Sequence, residues 1–420
     1  MNEPSIRPKV LFVTPWPPSG RGSGGQFVSG LLLRLYSEFC DVDIIAGYGP
    51  GFERSAPFPG DERVVEWVPL RLQHREHPLY ARGIAAWAWL NGRSLRAEKM
   101  GTRRMQRAVN QALSGNSYDV LHVDMALMRP YLQRTQLPVV VSSQNVEPEV
   151  FRRMAERAHG VTRCAALIEA SRVRKMEGLA LRAATRVIAM SERDRRILSA
   201  LHGISRNRIV PLYPAITERA STGSYHSRSV LLLGSLAAPG RLEGTEWFLR
   251  SVWPLLRQAM PTTRVHIVGH APPASLKRLA GTNGIQVHGF VTDLEPVLRD
   301  TSVLAVPLRV GAGIRVKIVE LMARGIPVVA TTVAATGLRS ETWPVIQVVD
   351  DAAGFAAAIA RNLSGADIWA RESTRQRRHA LDAYGIAMAR EAMREILATT
   401  IGTSLQQLSG QRERDKTHAD

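Results

Sequence analysis

At 420 residues the chain is too long for one ordinary hydrophobic core, so two domains are expected. Hydrophobic residues make up 45% and charged residues 22%, the balance of a globular, water-soluble protein rather than a disordered one. The formal net charge of +18 favours an anionic partner, yet the arginines are dispersed and no basic–aromatic interleaving occurs, so nucleic acid is not expected.

From its first residues the chain reads as alternating α/β. MNEPSIRPKVLFVT runs straight into a strand at Lys9–Thr14 without the three-part plan of a signal peptide. A proline- and glycine-rich loop follows, then a helix with Phe27, Val28, Leu31, Leu32, Leu35 and Phe39 at helical spacing. Further strands are expected at 42–46, 119–123 (DVLHV), 138–142 (PVVVS) and 185–190 (TRVIAM). A long helix carrying Leu167, Ala170, Met176, Leu179 and Ala183 lies between the last two. Residues 1–215 thus read as one domain and 216–229 (ITERASTGSYHSRS) as a polar linker. A second α/β series, 230–385, brings strands at 230–234, 264–269, 284–289, 302–308 and 326–331. Helical patterns at 355–363 and 380–397 close the chain, with 386–402 as the last helix and 403–420 as a disordered tail. Two doubly wound, Rossmann-like domains facing across a cleft are the natural architecture.

Several residue patterns carry chemistry. Gly20, Gly22 and Gly25 spell G-x-G-x-x-G, but they follow the strand end after Pro17 and Pro18, and no carboxylate ends the second strand. A ligand-lining loop therefore fits better than a dinucleotide fingerprint, with the Gly24 and Gly25 amides at a helix start available to an anion or a sugar hydroxyl. Gly311 and Gly313 lead into a helix carrying Arg315, Lys317 and, about one turn on, Glu320. Amides at a helix start favour anions, Arg315 can grip a diphosphate bidentately, Lys317 is a point charge, and Glu320 suits paired ribose hydroxyls. The plainer alternative is a surface i,i+3 pair of Lys317 with Glu320. His122 is either a core histidine or an acceptor contact, and Asp293 and Glu295 either touch a ligand or cap a helix. Cys40 and Cys164 read as buried thiols. The histidines show no paired spacing, so no metal is expected. No apolar run reaches the roughly 18 residues of a spanning helix. The aromatic, arginine-flanked stretch 78–96 reads either as a membrane-interface element or as a core helix or flap.

At these residues the chain resembles the family 4 glycosyltransferases of the GT-B fold, in a bacterial subgroup linked to exopolysaccharide and envelope glycan assembly. The likeness rests on 231–253 (LLLGSLAAPGRLEGTEWFLRSVW), 305–325 and 328–337 (VVATTVAATG). It is looser at the glycine loop, at 119–132, at Gln144-Asn145-Val146-Glu147 and at Ser191-Glu192-Arg193-Asp194. The resemblance implies retaining transfer of a sugar from a UDP- or GDP-linked donor to a glycan or polyprenyl-linked acceptor, with no cofactor. The N-terminal sequence points to a cytoplasmic location, and the positive charge with the 78–96 stretch points to peripheral contact with an anionic membrane on its inner face. Gly234, Gly289, Phe290, Val291, Gly311, Gly313 and Ile314 would line the donor site with Gly24 and Gly25. Arg315 and Lys317 would meet its diphosphate and Glu320 its ribose. Gln144 and Glu147 would serve the reacting sugar, and His122 and Glu147 the acceptor. Two departures stand out. Ala312 replaces the first of the family's paired glutamates, and Gln144 replaces a histidine, so that position cannot titrate. A non-catalytic partner subunit of the same fold and a sugar-nucleotide epimerase are the alternatives.

Overall fold

Alternating apolar runs and amphipathic stretches become, in the computed structural model, strands buried on both faces and helices that cover them. The structure describes residues 7–18, 24–49, 63–70, 88, 90–100, 102–128, 135–216, 222–234, 236, 239–311 and 313–402. They divide into two units, Met1–Pro214 with Ala389–Asp420, and Ala215–Met388.

In the first unit the described strands are β1 (Lys9–Thr14), β2 (Asp41–Tyr48), β3 (Arg63–Pro69), β4 (Val120–Asp124), β5 (Val139–Ser143), β6 (Arg186–Ala189) and β7 (Ile209–Pro211). They pair in the order β3-β2-β1-β4-β5-β6-β7, all parallel. Phe12 of β1 faces Ile44 on one side and His122 on the other. Val10, Leu11, Phe12 and Val13 are wholly buried, as expected where helices cover both faces of a parallel sheet.

The second unit holds β8 (Ser229–Leu233), β9 (Arg264–Val268), β10 (Ile285–Gly289), β11 (Val303–Val306), β12 (Val328–Ala330) and β13 (Gln347–Val348). These are also parallel, in the order β10-β9-β8-β11-β12-β13. Its core gathers Val230, Phe248, Val265, Ile267 and Phe355, with Trp247 set edge-on to Phe355 at 5.7 Å. Each sheet reverses its strand order once, between β1 and β4 and between β8 and β11. The crevices beyond the carboxyl ends at such reversals are where open α/β sheets bind ligands.

Three expectations are corrected. The described part of the 216–229 segment is not a free linker, because the Thr222 and Ser224 amides donate to the Arg324 and Thr301 carbonyls of the second unit. The helix expected over 380–397 is two helices, Ala366–Tyr384 and Ile386–Ile401. Gly385 between them is extended at φ −64° and ψ 154°. Cys40 is buried as expected, but Cys164 is exposed on the long helix Gly160–Ala183.

Candidate functional site: two sheet reversals with different chemistry

At the β8/β11 reversal three adjacent strands finish on glycine: Gly234 after β8, Gly269 after β9 and Gly289 ending β10. The Gly269 amide donates to the Gly289 carbonyl at 2.8 Å, and the Gly234 amide to Val268 at 2.9 Å. A Cβ on Gly269 would collide with the Gly234 carbonyl, and Gly289 sits at φ 68°. Only glycine permits this bare rim, over which a ligand can approach backbone directly. Just beyond it Phe290 is 70% exposed, with Val291 half-buried beside it.

The exit from β11 forms the facing wall. Gly240 and Gly244 of helix Pro239–Trp247 lie so close to Val310 and Pro307 that a Cβ on either would strike backbone. Behind the next loop Gly337, at φ 91°, packs on Gly313 and Ile314; a Cβ there would lie 2.9 Å from the Ile314 nitrogen. Thr331 holds this support in place, capping helix Thr332–Ala335 and donating its hydroxyl to the Leu308 carbonyl. Helix Val316–Ala323 then begins with Arg315 at its N-cap rather than in its first turn. The Arg315 guanidinium folds back over Gly311, where a Cβ would collide with Nη2. Lys317 is exposed, its Nζ 2.8 Å from Glu320 Oε2. The surface pair is therefore formed, but exposed pairs contribute only about 0–1 kcal/mol. Such a pair opens at little cost. Ala312 lies outside the described residues. The Asp293 carboxylate accepts from the Glu295 amide at 3.0 Å in the turn that leads into helix Glu295–Arg299, whose N-cap is Leu294.

The β1/β4 reversal is polar and closed. Asp124, at the end of β4, is wholly buried and accepts hydrogen bonds from four side chains. These are Ser142 Oγ at 2.5 Å, Gln144 Nε2 at 2.8 Å, Thr14 Oγ1 at 3.2 Å and Ser29 Oγ. Burial pushes the Asp124 carboxyl upward; the four donors oppose that shift without cancelling it. Gln144 Nε2 also lies 3.2 Å from Ser29 Oγ, so the donor end of this amide is committed inward. Its Oε1 faces Gly25, in the first turn of helix Gly24–Phe39. The Trp16 ring fills the remaining space against Gly25 and donates through Nε1 to Ser29 at 2.7 Å. Sequence reasoning found Gln144, Gly24 and Gly25 but missed Asp124, Ser29, Ser142 and Thr14. Their signal was the Asp124 carboxylate and the Thr14 and Ser142 hydroxyls at the carboxyl ends of strands beside the reversal; Ser29, inside helix Gly24–Phe39, carried none.

Two expected contacts are overturned by burial. His122 lies in mid-strand, stacked on Phe12 at 4.5 Å and sharing a 3.0 Å hydrogen bond with the Tyr36 hydroxyl. Burial pushes its pKa down to about 3, so it is a neutral core residue and not an acceptor contact. Strand β4 runs one residue further than expected, which puts Asp124 rather than His122 at the rim. Glu147 is 2% exposed, and both its oxygens are held by Arg96, at 2.9 and 3.3 Å. Its amide donates to Glu177, which in turn meets His202 at 2.7 Å. Glu147 thus joins helices Leu95–Met100, Glu147–Arg157 and Gly160–Ala183 and presents no carboxylate to an acceptor. The Ser191 motif is likewise structural: Ser191 caps helix Glu192–His202 and Arg193 pairs with Glu149 at 2.8 Å. Of residues 78–96, 78–87 and 89 lie outside the described set; Ala88 is buried and Leu90 exposed.

Comparison with known proteins agrees with this architecture. Residues 22–215 match the glycosyl transferase 4-like domain and residues 227–364 the glycosyl transferases group 1. The fold is similar to that of sucrose-phosphate synthase from Thermosynechococcus elongatus, at 16% identity and a TM-score of 0.65 over 95% of this chain and 100% of that one. It is also similar to Anabaena HepE, solved with UDP and glucose, at 15% identity and a TM-score of 0.62 over 93% of this chain and 100% of that one. A curated relative, an uncharacterized 44.6 kDa protein in the cps region of Klebsiella pneumoniae, is 24% identical over 151 residues. That match takes in 33% of this chain and 39% of the relative's length. Joined by two matching domains and a shared two-sheet fold, the chain belongs to the group 1 glycosyltransferases built on the GT-B fold.

Proposed function

We propose that this glycosyltransferase moves a hexose from a UDP- or GDP-linked donor, with retention of configuration, to a glycan or polyprenyl-linked acceptor in envelope polysaccharide assembly. The bare glycine rim facing a basic helix start at the β8/β11 reversal carries the reading. A flat base fits over Gly234 and Gly289 beside Phe290 and Val291. The diphosphate fits at Gly311, Gly313 and Ile314, with Arg315 and Lys317 neutralising it and Glu320 on the ribose. The Gly24 and Gly25 amides and Gln144 Oε1 serve sugar hydroxyls. The UDP and glucose bound by HepE and the cps origin of the Klebsiella relative support the donor class and the setting.

Charge builds on the diphosphate as the sugar–oxygen bond breaks, so groups that bind this charge more tightly at that point speed the reaction. Arg315 can turn from Gly311 toward the phosphates, and Lys317 can leave Glu320 for them. Because this pair supplies the neutralisation, the reading needs no metal. Gln144 does not titrate, so the acceptor hydroxyl gives its proton to the departing phosphate oxygen as its own oxygen bonds to the sugar. Charged hydrogen bonds of about 1.5–3 kcal/mol predict that Arg315→Ala and Lys317→Ala each lower turnover by about tenfold or more. Sugar release from a panel of UDP- and GDP-sugars, with circular dichroism as the folding control, tests this. Unchanged rates in both variants would sink the assignment, and stabilisation by nucleotide without any transfer would favour a non-catalytic subunit.

A further inference from the structure

We propose that the hairpin of helices Glu147–Arg157 and Gly160–Ala183 docks the protein on an anionic lipid surface. This surface is distinct from both sheet reversals and does not depend on the sugar-transfer reading. It also differs from the 78–96 stretch that sequence composition singled out.

Four large apolar side chains of the hairpin are exposed. Val161 is 84% exposed, Met154 55%, Leu167 46% and Ile168 36%. Helical periodicity alone would turn Leu167 inward, yet the neighbours that pack inward are Ala166, Ala170 and Val173. At about 100° per residue, Val161, Leu167, Ile168, Arg174 and Lys175 share one arc of the long helix, with Arg163 at its edge.

The charge of this face follows from which carboxylates are hidden. Glu147, Glu169 and Glu177 are all buried. Glu147 is held by Arg96, and Glu177 by His202. Glu169 accepts from Ser94 Oγ at 2.7 Å and the Arg96 amide at 2.9 Å. Of the hairpin's other carboxylates, Glu149 lies between Arg193 and Arg153, which leaves Glu156 among exposed Arg152, Arg163, Arg174 and Lys175. Apolar insertion and cationic attraction together are the two signals that hold a peripheral protein on a lipid surface; either alone is weak. A second copy is the poorer occupant, because a two-fold contact here would bring like charges face to face.

Full-length protein sedimented with phosphatidylcholine vesicles, with and without phosphatidylglycerol, tests the proposal. Binding is expected only with the anionic lipid, and release is expected in high salt. The pairs Val161→Ser/Leu167→Ser and Arg163→Glu/Lys175→Glu should each reduce the bound fraction roughly fivefold or more with the thermal midpoint unchanged. Failure to bind anionic vesicles, or equal binding by both variants, overturns it. So does a dimer in light scattering that the same substitutions dissolve. A marked fall in thermal midpoint for Val161→Ser/Leu167→Ser also overturns it, because those side chains would then be packed within the chain.

Discussion

As a carboxylate, Asp124 can only accept hydrogen bonds, so the Gln144 amide must turn Nε2 toward it and leave Oε1 at Gly25. An acceptor oxygen suits a sugar hydroxyl that donates. Asp124→Asn removes the constraint, because the Asn amide satisfies Gln144 in either orientation. This substitution is expected to lower kcat/KM about tenfold while the protein stays folded; an unchanged value would show that amide orientation does not matter. Asp124→Ala is a different change. It strands the Ser142 hydroxyl in the interior, while Gln144 keeps Ser29 and Ser29 keeps the Gly25 carbonyl, so a loss of about 1–3 kcal/mol for the unmet group is what urea unfolding should register. The neighbouring His122 gives a pH signature. Its pKa is depressed by burial to about 3, below an unfolded value near 6.5. Stability from this neutral histidine is therefore full above about pH 6.5 and is lost as pH falls toward 3. By pH 5 the loss is about 2 kcal/mol. Asp124, whose carboxyl burial raises, works in the opposite direction, so the readout is a comparison. The urea midpoint of wild type should fall more between pH 8 and pH 5 than that of His122→Asn. Equal shifts would mean that the imidazole is already charged or already exposed.

Among the elements, central strands were legible from sequence because burial on both faces leaves a continuous apolar run. KVLFVT is β1 residue for residue. Of the edge strands only β10 was legible, expected at 284–289 and found at Ile285–Gly289. β3 (RVVEWVP) is half-exposed and broken by Arg63 and Glu66, so it shows no continuous apolar run, and β7 and β13 are only three and two residues long. The site shows the same limit. The glycines and basic residues after β11 stand out because no other feature explains cations at a helix start, which the helix dipole opposes. The Asp124 cluster could not stand out, since its members are scattered from Thr14 to Gln144 and meet only through the β1/β4 pairing. The loop after β11 also depends on a residue behind it. Gly337→Ala would force a side chain against Gly313 and Ile314 at φ 91°. It is expected to cost roughly 1–3 kcal/mol locally and to displace the Arg315 loop. UDP-induced thermal stabilisation should shrink while the far-ultraviolet spectrum is retained; full stabilisation by UDP would mean that the loop does not need this support.

On the scale of the molecule, two sheets of the same strand plan put different chemistry at the same topological position. One reversal is closed by a buried carboxylate among hydroxyls; the other is an open glycine rim with cations and exposed Phe290. On the proposed function, the base and the two phosphates of a nucleotide belong at the second, where backbone is bare and Arg315 and Lys317 stand near it. The first, with Gly24 and Gly25 at a helix start, suits neutral hydroxyls. Donor fragments should therefore report on the two units separately. With UDP alone, amide hydrogen exchange should slow at 269–272, 289–291 and 309–318, and stay unchanged at 24–30 and 142–146. At a ligand concentration about 100 times Kd, stabilisation is about 2.7 kcal/mol. Amides that open only when the ligand leaves should then exchange on the order of 100-fold more slowly. The hexose alone, at high concentration, should instead protect 24–30, because the helix-start amides and Gln144 gain a partner. Protection by UDP alone at 24–30, with none at 309–318, would place the diphosphate in the N-terminal unit and leave Arg315 and Lys317 without a ligand to neutralise.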